Sequence, residues 1–373
     1  MHTKPLWTVA GSAAIALLLA GCGSSSSPSA VAGATSSSSP SAKAGKVGVI
    51  LPDAATSPRW EANDRPLLTA SFAAAGIKAD IQNAAGDKSK FSTICDSMIN
   101  SAVNVLLIVN LDSDSGSACL KKAQTAGIKT IDYDRLTLGG GASYYVSFDN
   151  VAVGKLMGEG LQKCLTDQGK TTANVVLING DPTDNNAALF KQGYVEALKP
   201  AVDSGKYKIV GDQTGKWKDS VAGTAFEQLY TQNKGKVDGV VSANDTMATG
   251  IIARLKANKI NGKVPVTGQD ASIAGLQAIL SGDQCMTVYK AIKKEADAAS
   301  QLAIALIQGK DASSIATGTV MDTVLNKAVP SALETPVSIF KSNVKLVIDD
   351  GFQKKADVCT AAFASACTAA GIS

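Results

Sequence analysis

Residues 286–306 read Met286-Thr287-Val288-Tyr289-Lys290-Ala291-Ile292-Lys293-Lys294-Glu295-Ala296-Asp297-Ala298-Ala299-Ser300-Gln301-Leu302-Ala303-Ile304-Ala305-Leu306. The first four are a short run of strand formers. The period then changes: Ile292, Ala296, Ala299, Ala303 and Leu306 recur at offsets of three and four and share one face of a helix. The same order repeats along the chain. Strands are expected at Val47 to Leu51, Ala79 to Gln82, Val105 to Val109, Lys129 to Asp132 and Tyr145 to Phe148, then at Val175 to Ile178, Lys208 to Val210, Gly239 to Ser242, Val264 to Thr267 and Met286 to Tyr289. Repeated β-α order means parallel sheets covered by helices on both faces. That many strands suits two α/β domains of about five strands each better than one sheet.

Before these elements stands a different kind of sequence. Leu19-Ala20-Gly21-Cys22 follows an apolar run from Ala13 to Ala20, and Lys4 precedes it. This is a lipobox at the end of a signal peptide over residues 1–21, too short for a membrane span. Cleavage would leave Cys22 as an acylated first residue, its thiol used, and two or three acyl chains hold a protein firmly on a membrane. Residues 22–45, with serines at 24–27 and 36–39, lack apolar periodicity and read as a flexible tether. The folded part is thus expected in the cell envelope, lipid-anchored outside the cytoplasmic membrane.

Composition excludes several functions. The chain has 36 Lys and Arg against 32 Asp and Glu, a net charge of +4, and no basic run interleaved with aromatics, so no nucleic-acid partner is expected. The only histidine is His2, inside the segment to be removed. A mature chain without histidine cannot build a Ser-His-Asp triad, a Cys-His dyad or a His-ligated zinc site, and no metal or cofactor is expected. Carboxylate catalysis remains the enzymatic alternative. Apart from Cys22 the cysteines are Cys95, Cys119, Cys164, Cys285, Cys359 and Cys367; an even number in an exported chain suggests disulfides, but six cysteines allow 15 pairings.

Ligands of open α/β sheets sit beyond the carboxyl ends of the strands. The residues found there are Asp53, Arg59 and Trp60; Asp134 and Arg135; Asp149 and Asn150; Asp184, Asn185 and Asn186; Trp217; Asn244 and Asp245; Gln269 and Asp270; and Lys290. Planar carboxylate, amide and guanidinium groups bind neighbouring sugar hydroxyls in pairs, and a flat indole covers the C–H face of a pyranose. Asp134, Asp184 and Asp270 balance Arg59, Arg135 and Lys290, which suits a neutral polyhydroxy ligand better than a phosphate or a metal ion. Taken singly each has a plainer reading: Asp149 and Asp245 as helix caps, Trp60 and Trp217 as buried aromatics, Arg59 and Lys290 as solvated charges. Their recurrence at one end of successive strands favours a site.

The segments Tyr133-Asp134-Arg135, Ser147-Phe148-Asp149-Asn150, Asp184-Asn185-Asn186-Ala187, Leu198-Lys199-Pro200, Val210-Gly211-Asp212-Gln213, Gly268-Gln269-Asp270-Ala271 and Thr287-Val288-Tyr289-Lys290 resemble, in order, the periplasmic D-xylose-binding protein family, sugar-binding proteins of type I periplasmic-binding-protein architecture. The resemblance runs from about Lys46 to about Phe352. It implies two Rossmann-like parallel-sheet lobes joined by three hinge crossovers, residues 46–148 with 291–321 forming the N-terminal lobe and 149–290 with 322–353 the C-terminal lobe. It further implies a monomer that closes on one monosaccharide, xylose first, and presents it to a membrane-embedded ABC permease; a sugar sensor docking on a membrane receptor is the alternative. The ligand set carried over is Arg59, Trp60, Asp134, Arg135, Asp184, Asn186, Trp217, Asn244, Asp270 and Lys290, with no catalytic residue. On the implied layout the disulfides are Cys95–Cys119, Cys164–Cys285 and Cys359–Cys367. Two departures bear on the choice of aldose: a first loop, Asp53 to Trp60, one residue longer and containing Pro58, and Thr214 where the family tends to carry tryptophan; an extension over 354–373 also lacks a counterpart and reads as a disulfide-closed surface turn.

Overall fold

The computed structural model of the protein describes residues 45–372. The signal segment, Cys22 and the tether up to residue 44 lie outside the described residues. The first sheet takes β1 (Lys46–Leu51), β2 (Lys78–Asn83), β3 (Val105–Ile108), β4 (Lys129–Tyr133) and β5 (Tyr144–Phe148), interleaved with α1 (Arg65–Ala74), α2 (Lys88–Asn100) and α3 (Ser113–Thr125). The chain continues through α4 (Asn150–Asp167), β6 (Ala173–Asn179), α5 (Asn185–Asp203), β7 (Tyr207–Thr214), α6 (Asp219–Gln232), β8 (Gly239–Ser242), α7 (Asp245–Ala257), α8 (Ile273–Ser281) and β9 (Met286–Tyr289). It then returns through α9 (Ile292–Gln308), β10 (Gly318–Asp322) and β11 (Lys327–Glu334) before ending through β12 (Val337–Phe340) and short helical turns.

The first sheet has the order β10-β11-β5-β4-β3-β1-β2, parallel except for β10. Alternate residues of β1 face opposite helical layers, as a strand period of two requires. Val47, Val49 and Leu51 pack with Leu68, Phe72, Ala296, Ala299 and Ala303, whereas Ile50 packs with Phe91, Met98 and Leu120. Small alanines on α9 let that helix lie close to the sheet, and removing the Phe72 ring from this fully buried layer would cost about 3–5 kcal/mol.

The second lobe holds the order β7-β6-β8 and the antiparallel pair β9 and β12. Isolated bridges Val240–Val266 and Gln269–Val288 connect the two groups through the segment expected as a strand at Val264 to Thr267. That segment is not a regular strand: Pro265 has no N–H and contributes only its carbonyl, to the Val240 amide at 2.9 Å. Strands β10, β11 and β12 are absent from the sequence reading. Most of their residues are exposed or half-buried, and Pro330 stands within β11, so no buried apolar run marks them.

The chain passes between the sheets at Phe148–Asn150, Tyr289–Ile292 and Glu334–Val337. The expected lobe edge at residue 322 needs correction, because Ser331, Ala332, Leu333 and Glu334 pair with Tyr145, Val146, Ser147 and Phe148 of the first sheet. Residues 322–334 therefore belong with the first lobe. Cys95 on α2 is bonded to Cys119 on α3, Cys164 on α4 to Cys285 before β9, and Cys359 to Cys367, with Cα separations of 5.9, 6.3 and 5.9 Å. The extension has a place in the core: Val358, Cys367 and Ile372 pack with Leu276, Ile279 and Leu280 of α8.

Candidate functional site

All ten residues expected to touch ligand line one cavity between the lobes, together with Thr56, Ser57, Phe190 and Gln269. The loop after β1 supplies Arg59 and Trp60, followed by a π-helical turn, Trp60–Asp64, that leads into α1. Such a turn holds one more residue than an α-turn. Pro58 accepts the Ala62 amide and lies outside the cavity wall. Asp53, also at this strand end, accepts the amides of Ala55 and Thr56 and shapes the loop from beneath.

Asp134 is the centre of the site. Its Oδ2 accepts from Arg59 Nη1 at 2.7 Å and from Lys290 Nζ at 3.2 Å, and its Oδ1 accepts from Asn186 Nδ2 at 3.0 Å. Its backbone is left-handed, φ 62°, and its carbonyl accepts from Tyr145 Oη, Ser147 Oγ and Asn186 Nδ2. Trp217 and Asp270 also have positive φ, 57° and 101°. A non-glycine residue is rarely held there, and such conformations gather at binding sites.

Two carboxylates absent from the expected set sit behind this group. Asp64 takes Arg59 Nε at 3.0 Å and Nη2 at 2.7 Å, and Glu295 takes Nη2 at 2.6 Å. All three groups are buried. Arg59 is thus fixed by its far side while Nη1 faces Asp134. Glu295 had a legible signal, since it falls three residues after Ile292, next to the apolar face of α9. Asp64 had none. Phe190, four residues after Asn186 on α5, meets Trp217 edge-on at 6.2 Å.

Arg135 and Asp184 face each other across the cleft with Nε to Oδ2 at 3.0 Å. Asp184 is also the N-cap of α5, accepting the Asn186 amide, and Asn244 is the N-cap of α7, accepting the Met247 amide. The reading of Asp245 as a cap is therefore corrected by one residue. Asp245 turns inward and accepts from Gln284, Thr287 and the Ser272 amide. Asp149 does cap α4. Further links cross the cleft from Ser57 to Asp270 and from Asn244 to the Thr56 carbonyl, at 3.0 and 3.3 Å. Thr214 stands outside the cavity, where its hydroxyl donates to the Gly180 carbonyl at 2.5 Å and accepts the Lys216 amide, so it shapes the turn that carries Trp217. Only glycine fits beneath that ring: a Cβ at Gly180 would lie 2.0 Å from Trp217 Cζ2.

Burial opposes charge on every acid here, and the neighbours decide the outcome. Burial raises Asp134, yet Lys290, Arg59 and Arg135 outweigh it and hold the carboxyl far below its ordinary range. For Asp184 and Asp270 burial wins over Arg135 and Lys290 respectively, and both are raised. A basic partner alone would have lowered them. Glu295 is pushed up by burial to about 8 despite Arg59. Five buried carboxyls, Asp64, Asp134, Asp184, Asp270 and Glu295, share the three bases Arg59, Arg135 and Lys290.

Two α/β lobes meeting over a buried, charge-balanced cavity define a two-lobed solute-binding protein. Residues 47–311 match the periplasmic binding protein domain, and the chain belongs to that extracytoplasmic family. It is a binding protein and not an enzyme. It is 39% identical over 305 residues to the D-xylose-binding periplasmic protein of Escherichia coli K12, covering 80% of this chain and 88% of that one. It is 34% identical to the multiple sugar-binding periplasmic receptor ChvE of Rhizobium radiobacter, covering 83% and 91%. A carbohydrate transporter solute-binding protein from Chloroflexus aurantiacus, solved in complex with D-glucose, superposes with a TM-score of 0.76 at 28% identity, covering 83% of this chain and 97% of that one. Among the described residues no helix is long and apolar enough to cross a membrane.

Proposed function

We propose that the chain captures one neutral monosaccharide, xylose first, between its two lobes and delivers it to an ABC permease, held at the membrane by acylation of Cys22. The observation that carries this reading is the convergence of Arg59, Asp134, Arg135, Asp184, Asp270 and Lys290 on one buried cavity with three charges of each sign. Each planar group offers paired bonds to adjacent hydroxyls, and Trp60 and Trp217 supply flat apolar walls. In this reading residues 46–148 with about 291–334 move against the remainder about the three crossings, and a sugar touching both lobes favours the closed form by its differential contacts. The protein acts as a monomer.

The name of the Escherichia coli relative supports xylose, whereas the D-glucose complex of the Chloroflexus protein supports a hexose. The receptor name of the Rhizobium relative favours a second reading, a sugar sensor docking on a membrane receptor. The test is a thermal-shift panel of neutral aldoses on the chain lacking residues 1–21 with Cys22→Ser. A ligand at 100 times its Kd adds about 2.7 kcal/mol to the folded form. A rise with xylose alone supports the first reading, a rise with hexoses moves the specificity, and no rise with any aldose removes the sugar assignment.

A further inference from the structure

The strand ends opposite the cleft carry features that the cavity does not use. Register in the first sheet sets Val47 beside Val105 and Val105 beside Lys129, then Asp132 beside Tyr145 and Tyr145 beside Ser331. Counted back along these pairs, the turn between β10 and β11 lies level with the start of β1, where the chain enters the fold at Gly45 and Lys46. Both are at the end of the first lobe away from the cavity.

That turn exposes Met321, Val324 and Leu325 by 48, 67 and 45%. It is firmly built. The buried Asp322 carboxylate accepts the amides of Gly139, Val324 and Leu325 at 2.9–3.1 Å. Val324 and Leu325 stand over Gly139 and Gly141, where a Cβ would come within 3.1 and 3.3 Å of them. A rigid turn therefore holds apolar side chains out in water. Lys46, Lys78, Lys129 and Lys327 begin β1, β2, β4 and β11 at this same end, and none makes an ion pair among the described residues.

Single exposed apolar residues need no explanation, but a cluster on a fixed turn at the same end of the sheet as four lysines without ion pairs has the chemistry of a contact with anionic lipid. We propose that this end of the first lobe rests on the anionic bilayer to which the chain is tethered, Val324 and Leu325 entering the headgroup layer and the lysines meeting lipid phosphates. The proposal rests on the acylation of Cys22 in the preceding reading. The tether joins at Gly45, so it draws this end to the bilayer while the cavity stays clear of lipid.

The test reconstitutes the chain processed and acylated in its host, starting at Cys22, into phosphatidylcholine vesicles with brominated acyl chains, with and without phosphatidylglycerol. Val324→Trp reports on the turn and Val195→Trp, on the exposed side of α5, is the reference. With phosphatidylglycerol the added fluorescence at 324 should be quenched about twofold more than that at 195, and the excess should shrink without it or in high salt. Equal quenching at the two positions overturns the contact. Flotation of the chain with the vesicles reads the anchor separately: a chain that does not float refutes acylation, and the two variants mixed with the same vesicles then decide the contact alone.

Discussion

Ser57 of the first lobe donates its hydroxyl to Oδ2 of Asp270 in the second at 3.0 Å, and the Asn244 amide reaches the Thr56 carbonyl beside it. The walls of the cleft thus touch directly, and under the proposed hinge motion these bonds would break on opening. Removing the hydroxyl with Ser57→Ala should cost the closed form about 1 kcal/mol. Small-angle scattering of the sugar-free protein should report a larger mean radius for the variant; an unchanged radius would leave the latch without effect.

Arg135 and Asp184 oppose each other across the same cleft. Arg135→Ala leaves a buried acid without its base, and sugar affinity measured by calorimetry should fall by about 2–5 kcal/mol. Asp134→Ala goes further, because Arg59 and Lys290 lose the oxygen they share. Denaturant unfolding should register a loss of about 3–5 kcal/mol in the sugar-free protein.

Acidity should stabilise the fold. Burial raises Glu295 from its ordinary 4.5 to about 8, and Asp132 and Asp245 from 3.8 to about 7. At these three groups the native state binds more protons than the unfolded chain, so their contribution to stability is fully present below about pH 4 and is lost as pH rises towards 8, whereas the lowered Asp134 acts in the opposite sense at acid pH. The melting temperature should be higher at pH 5.5 than at pH 8. Glu295→Gln should flatten the upper part of that slope, and a parallel profile in the variant would remove Glu295 as its source.

Gly180→Ala tests the aromatic wall without touching a polar group. The new methyl would overlap Trp217 and displace the ring, so sugar affinity should drop while the protein stays folded. Calorimetry and tryptophan fluorescence together check it; unchanged affinity with a shifted emission would take Trp217 out of the binding surface.

Non-reducing peptide mapping should recover three cross-linked pairs, Cys95 with Cys119, Cys164 with Cys285 and Cys359 with Cys367. Free thiols at any of these positions would break the corresponding bond.

The two-sheet order was legible because helices such as α9 show a clean apolar stripe and the inner strands are short buried runs. The cavity-facing residues were legible because strand ends converge in parallel sheets, so one rule located Arg59, Asp134, Asp184 and Asp270 together. The remainder lay in conformation and tertiary pairing. Nothing in the letters sets Asp134, Trp217 or Asp270 at positive φ. Ser57 lies in the same loop as Arg59 with nothing in its residue type to mark it, and Asp64 ends a π-turn and pairs with Arg59 only in the folded chain. β11 escaped notice because an edge hairpin with Pro330 needs no apolar pattern, which is also why the lobe edge was set too early.

The left-handed backbone of Asp134, pinned through its carbonyl by Tyr145, Ser147 and Asn186, leaves its carboxylate little rotational freedom before any guest arrives. Inverting one hydroxyl on the sugar ring would meet an acceptor that cannot swing to follow it. Discrimination between epimers should then be steep, and broadening the range of guests would require loosening residues that never touch them.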